Sequence, residues 1–194
     1  MVRPREFDTS EALDQALHAF QKKGYAATSL RDLIAQMGIS KSSFYEAFGS
    51  KRALFLVVLD RYGERNLEQT KAHLDGDVSP RQAIADFFGM AVDGLLTQEG
   101  RHGCLAVNIA IELAAHDPEV AARVNAIFER MASALQQVIA RGQAAGEIRA
   151  DRSSGVLAGY LVSSLSGLRV QGKARPDRAA LNDIARITLA ALDR

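Results

Sequence analysis

Only one cysteine, no tryptophan and four prolines occur in the 194 residues. The lone Cys104 excludes an internal disulfide framework and points to a reducing compartment. Scarce proline leaves long stretches free to be helical. Val, Ile and Thr never alternate over a strand's length, while Ala, Leu, Arg, Gln and Glu dominate, so the chain reads as all-α. No stretch approaches the ~18 consecutive apolar residues of a membrane span. Residues 1–11 hold no apolar run of the kind a signal peptide needs. A cytoplasmic protein with no membrane partner is expected. An excess of one charge is also missing: the formal net charge is +1, which does not by itself mark a nucleic-acid binder. The first 55 residues carry eight Lys or Arg against six Asp or Glu, so a DNA-binding role has to rest on a motif. The four histidines are scattered, and no metal or cofactor is expected.

Such a motif is present. Residues 28–51, TSLRDLIAQMGISKSSFYEAFGSK, hold two short helical patterns around a glycine-centred turn. Ser29 can cap the first. Leu30, Leu33, Ile34 and Met37 then fall on one apolar stripe, and Gly38 suits a left-handed stop. Ser40 caps a second helix from Lys41 to about Ala47, with Phe44 and Phe48 facing inward together. Lys41, Ser42, Ser43 and Tyr45 carry donors mostly outside that stripe. This is a helix-turn-helix pattern.

Around it the chain reads as about nine helices. A short arm with Arg3 and Arg5 precedes a helix that starts at Asp8 to Ser10 and stops at Gly24. Ser50 caps a long helix, 51–74, whose first turns are apolar and whose later turns are polar, as in a connector. Five further helices are expected: Ser79 to about Gln98, Leu105 to Ala115, Asp117 to about Ala145, about Arg152 to Lys173, and Asp177 to Leu192. The expected division is a DNA-binding unit, 1–50, and a second domain, 51–194, with helix 51–74 joining them.

With both halves in view, the sequence resembles the TetR family of transcriptional repressors. The residues that carry the resemblance are GYAATSLRDLIAQMGISKSSFYEAFGSKRALF, Gly24 to Phe55. They show the G-[YF] after the first helix, the T-[ST] cap, the A-x-x-x-G-[IV]-S turn and the closing F-x-[SN]-K-x-x-L. The chain departs from the pattern at Glu46 and Ala47, where many relatives have an aromatic and then His, and at Gly49, where many have a basic residue. The resemblance implies that helix three enters the major groove, that the protein is a homodimer on a pseudo-palindromic operator, and that a small-molecule inducer releases it.

The residue chemistry fits that implication. Ser42 and Ser43 are small hydroxyl residues that let base edges approach. Lys41 can reach phosphate or guanine, and Tyr45 can donate to phosphate or serve as a packing aromatic. Lys51 sits at a helix N-terminus, a natural phosphate site. Thr28 and Arg31 are further phosphate candidates, although Arg31 can equally pair with a surface carboxylate. In the second domain, Gly155, Gly159, Ser163 and Gly167 are small residues along one helix. With Ile184, Ile187 and Leu192 they would fit the four-helix dimer interface that the resemblance implies, or pack inside one subunit. Phe87, Phe88, Met90, Ile111, Phe128, Met131, Tyr160 and Leu165 can line a ligand cavity or form ordinary core. Glu112 and Arg169 are the candidates for inward charge. Cys104 follows Arg101, His102 and Gly103 at a helix start, a setting that favours thiolate. It is either a sensor of oxidants or electrophiles or a small buried hydrophobe. Two other readings stand beside the repressor: a Cys104-dependent enzyme, and an interaction module whose DNA head is vestigial.

Overall fold

A computed structural model describes residues 7–194. Among them are nine α-helices and no strand: α1 Thr9–Lys23, α2 Leu30–Met37, α3 Lys41–Phe48, α4 Lys51–Leu74, α5 Pro80–Leu95, α6 Leu105–Ile109, α7 Pro118–Ala144, α8 Ser154–Ala174 and α9 Arg178–Ala190. The Arg3–Arg5 arm lies outside the described residues. Two short elements depart from the expected pattern. Gly100–His102 makes a 3-10 turn, and α6 gives way after Ile109 to a π-helical segment, Ala110–Ala114.

Local chemistry sets the ends. Ser29 and Asp32 form a reciprocal capping box, each side chain accepting from the other's backbone N–H at 3.1 Å. These bonds, reinforced by Lys23, hold the Asp32 carboxyl below its ordinary pKa. Gly38 ends α2 at φ +65° in the left-handed region, which glycine enters without a Cβ penalty. Ser40, Ser50, Ser79, Asp117, Ser153 and Asp177 cap α3, α4, α5, α7, α8 and α9 in the same side-chain-to-backbone manner.

The apolar side chains divide into two cores, and the division does not fall at residue 50. One core is built from α5, the later part of α7, α8 and α9, with Leu74 reaching in from the end of α4. The other holds Phe20, Leu33, Met37 and Phe44 of the first three helices. Leu54, Phe55, Val58 and Leu59 of α4 join it, as do Leu105 and Ile109 of α6 and Val120, Val124 and Ile127 of α7. The helix-turn-helix unit is therefore walled by residues more than fifty positions downstream. Phe128 packs against both cores. Helix α4 crosses from one to the other, and Gly63 lets it lie tight on α7: a Cβ there would stand 2.8 Å from Ile127 Cγ1.

Candidate nucleic-acid interface and the cysteine behind it

Helix α3 buries one face and offers the other. Phe44 is fully buried, and its ring lies 5.7 Å from that of Phe48. Lys41, Ser42, Tyr45 and Glu46 are exposed on the opposite side. The Ser40 hydroxyl accepts from the Ser43 backbone N–H at 3.0 Å and lies 2.8 Å from the hydroxyls of both Ser42 and Ser43. The start of α3 thus carries a hydroxyl cluster beside the Lys41 ammonium. The Tyr45 ring sits edge-on to Phe44 at 5.6 Å while the residue stays 47% exposed. Its packing and donor roles are compatible, since the base of the ring is anchored and the rest is open. Arg31, at the start of α2, is exposed as well. The surface supplies donors to phosphate and base edges, with glutamate at position 46 and glycine rather than a basic residue at position 49.

Of the expected phosphate contacts, Thr28 is placed differently and Lys51 is held by an aromatic ring. Thr28 is fully buried, and its hydroxyl donates to the Gly24 carbonyl at 2.6 Å. It cannot face a backbone phosphate, because its hydrogen-bonding capacity is spent closing the link between α1 and α2. The Lys51 ammonium stands 4.3 Å from the centre of the Tyr25 ring, a cation–π contact. Partial burial lowers its pKa, against the raising effect of Glu112. Tyr25 entered the sequence reading only as part of a family pattern. Here its ring packs against both Phe20 and Phe55, at 6.1 and 4.6 Å, and carries Lys51 over its face.

The eight residues offered as a ligand cavity, and Cys104 with them, do not converge. Phe87, Phe88, Met131 and Leu165 belong to the second-domain core. Met90, Ile111 and Tyr160 are exposed at 37%, 75% and 44%, so they line no interior space. Cys104 lies in the other core. Among the dimer candidates, Gly155, Gly159, Ser163, Gly167, Ile184 and Ile187 face outward on α8 and α9. Leu192 does not: it is wholly buried within its own subunit, in the same core as Leu189. Val156 and Val170 add to the outward apolar face at 64% and 46% exposure.

Cys104 is buried at the N-cap position of α6, and its sulfur is met from two other helices. The Tyr62 hydroxyl on α4 is 3.2 Å away and the Arg169 guanidinium on α8 is 3.4 Å away. The charge at the sulfur therefore comes from Arg169, while Arg101 is exposed to solvent. His102 has its pKa lowered by burial and by His18, Lys22 and Lys173. Burial, and then the Cys104 sulfur, push the Tyr62 pKa well above the ordinary tyrosine value, so it stays a hydrogen-bond donor. Sequence reasoning missed Tyr62, whose position marked it only as one more residue of the connector's apolar stripe. Arg169 points to the thiol and Glu112 to the α1–α2 link, so neither projects as a free charge into a cavity.

Among the described residues, no helix is long and apolar enough to cross a membrane.

Comparison with known proteins agrees over both halves. Residues 12–58 match the family described as bacterial regulatory proteins, tetR family, and residues 80–188 match the tetracyclin repressor-like C-terminal domain. The chain is 34% identical over 194 residues to the HTH-type transcriptional regulator YezE of Bacillus subtilis (strain 168), covering 100% of both proteins. It is 31% identical over 188 residues to the HTH-type transcriptional repressor ComR of Escherichia coli (strain K12), covering 96% of this chain and 90% of that protein. Among solved structures it is similar to a cysteine-substituted variant of the regulator CifR in complex with 26-base-pair double-stranded operator DNA. That match has a TM-score of 0.87 and 32% identity, over 98% of this chain and 99% of that one.

Proposed function

Because the chain belongs to the TetR family of DNA-binding transcriptional regulators, a family of regulators and not of enzymes, we propose that it is a cytoplasmic homodimeric repressor that holds a pseudo-palindromic operator and releases it when a small electrophile reacts at Cys104. Lys41, Ser42, Ser43 and Tyr45 would meet the major groove, with Arg31 and Lys51 on the flanking phosphates. The dimer reading is supported by the outward apolar face of α8 and α9, where Val156, Tyr160, Ile184 and Ile187 stand exposed beside Gly155 and Gly159. A contiguous apolar face of this kind marks an interaction surface, and a two-fold copy of itself is its simplest complement.

The observation that carries the sensing half is the Tyr62–Cys104–Arg169 arrangement. A guanidinium stands 3.4 Å from the sulfur, a cationic neighbour of the kind reactive cysteines have, and the phenol ties that sulfur to the connector helix α4. In addition to an α,β-unsaturated aldehyde, the thiolate sulfur bonds the β-carbon. The π pair moves to the α-carbon, which takes a proton from water. The adduct has no room in a buried site unless α4, α6 or α8 yields, and α4 leads directly to the reading helices. The operator complexes of the similar regulator CifR carry cysteine substitutions, which supports looking for a cysteine-linked response in this chain.

A gel-shift assay with DNA from upstream of the protein's own gene tests the reading. The expected result is specific retardation that acrolein abolishes in the parent and leaves intact in Cys104→Ser. Absence of specific retardation overturns the repressor reading. Equal release of the parent and Cys104→Ser overturns the sensing half alone.

A further inference from the structure

The π-helical segment Ala110–Ala114 carries Glu112, whose carboxylate leaves the second domain and grips the backbone of the first. Its Oε2 accepts from the Tyr25 N–H at 3.0 Å and its Oε1 from the Ala26 N–H at 2.6 Å. These two amides belong to the link between α1 and α2, directly before Thr28 and the cap Ser29. The approach requires glycine next door: Gly24 has φ +78°, and a Cβ there would stand 2.6 Å from Glu112 Oε2. On the other side of the link, the Thr28 hydroxyl donates to the Gly24 carbonyl. Lys51, held over the Tyr25 ring, lies within the field of the same carboxylate. A π-turn inserts an extra residue into a helix and redirects the side chains that follow. Here one segment turns Glu112 toward the head while leaving Ile111 75% exposed.

We propose that Glu112 is a positioning residue for operator binding: a carboxylate staple that fixes the angle of the reading head against the second domain. The inference rests on the operator-binding reading above. The head is also held by apolar packing, through Phe44, Leu54 and Phe55 and, from α6 and α7, Leu105, Ile109 and Val120 in a shared core. Apolar packing is non-directional and tolerates small rotations. Two charge-assisted bonds to consecutive amides do not, because both the direction and the spacing of the donors are fixed. With the staple, directional bonds are added to that packing and the orientation is set; without it, the head is left to packing that tolerates small rotations. A dimer must present two heads at one spacing to bind two half-sites, so swing weakens binding even when every DNA-contacting side chain is present. The stretch that carries the staple begins at Cys104, the N-cap of α6, so movement at the sulfur would reach the head along this segment as well as along α4.

The test uses full-length protein and two variants. Glu112→Ala removes both acceptors. Glu112→Gln keeps one acceptor oxygen and remains available should the alanine variant fold poorly. Operator affinity is measured by fluorescence anisotropy on DNA from upstream of the gene. Head orientation is measured without DNA by electron–electron distance spectroscopy between spin labels at Glu46→Cys and Ala140→Cys, in a Cys104→Ser background, with labelled chains diluted into unlabelled protein. The expected result is a broadened distance distribution in both variants and an operator affinity lower by about tenfold for Glu112→Ala, the equivalent of roughly one charge-assisted hydrogen bond. Glu112→Gln falls between that variant and the parent. Unbroadened distances in both variants overturn the staple, even if their melting temperatures drop. Should the parent bind no operator, the DNA-binding reading fails, while the distance measurement still decides the staple.

Discussion

The Arg169 guanidinium of α8 lies 3.4 Å from the Cys104 sulfur, so the helix that carries much of the outward apolar face also supplies the charge beside the thiol. Replacing Arg169 by Met keeps much of the length and removes the charge. Alkylation of Cys104 by iodoacetamide near neutral pH should then slow several-fold, because no cation would stand beside the attacking sulfur. Arg169→Lys should recover part of the rate. The measurement is the pseudo-first-order rate followed by mass spectrometry. A rate for Arg169→Met equal to the parent's would show that the guanidinium does not activate the sulfur.

Lys41 and Thr28 should respond in opposite ways, although sequence placed both at the DNA. Lys41→Ala should weaken operator binding across sequences and reduce the slope of log affinity against log salt by about one. Thr28→Val should leave that slope alone. It leaves the part-buried Gly24 carbonyl without the Thr28 hydroxyl and should lower unfolding stability by about 1 kcal/mol. Salt titrations of operator binding, paired with urea unfolding, separate the two outcomes.

Ile187 is 67% exposed on α9 and Leu192 is fully buried. Ile187→Glu should shift sedimentation toward monomer with little loss of helicity, because it places a charge where a self-complementary apolar face would close. Leu192→Ala should lower stability instead, by about 2–5 kcal/mol for a buried leucine. Analytical ultracentrifugation and thermal melts read both.

The start of α4 is tied to the start of α7 by Arg52, which bonds Asp117 and reaches Glu119 at 2.8 Å. Arg52, followed by the Val120 N–H, lowers the Asp117 pKa from 3.8 to about 2. The folded state therefore holds this carboxylate's proton less tightly than the unfolded chain does. The resulting contribution to stability is fully present above the ordinary value and is lost as pH falls from about 3.8 to about 2. The urea midpoint should decline over that range, and Asp117→Asn should flatten this part of the decline while retaining a capping side chain. An unchanged slope in Asp117→Asn would assign the acid sensitivity to other carboxylates.

Helix existence was legible where amphipathic stripes and caps coincide. Leu30, Leu33 and Met37 with Ser29 and Gly38 define α2, and Ser50 defines the start of α4, because these signals are local. The π-segment after Ile109 was not legible, since a single inserted residue leaves the apolar periodicity of so short a stretch unchanged. Thr28 illustrates a second limit: a hydroxyl before a helix reads as a donor to DNA, but only the fold shows that the Gly24 carbonyl has claimed it. Tyr62, Arg169 and Cys104 lie far apart in sequence, and nothing in the spacing of a lone tyrosine or arginine reports which sulfur it will meet. The residues offered as cavity lining meet a related limit: a large apolar side chain on a helix carries no mark distinguishing core, cavity and exposed interface.

The walls of the N-terminal core have an implication for how the protein is made. Phe20, Leu33 and Phe44 leave the ribosome early, but the side chains that cover them include Leu105, Ile109, Val120 and Ile127. Domains generally fold as units as they emerge. This one is complete only after more than half of the polypeptide has been synthesised. The reading helices are the first to be translated but are sealed only once residues up to Ile127 have emerged, so DNA-binding competence arrives together with the cysteine-bearing segment that would control it.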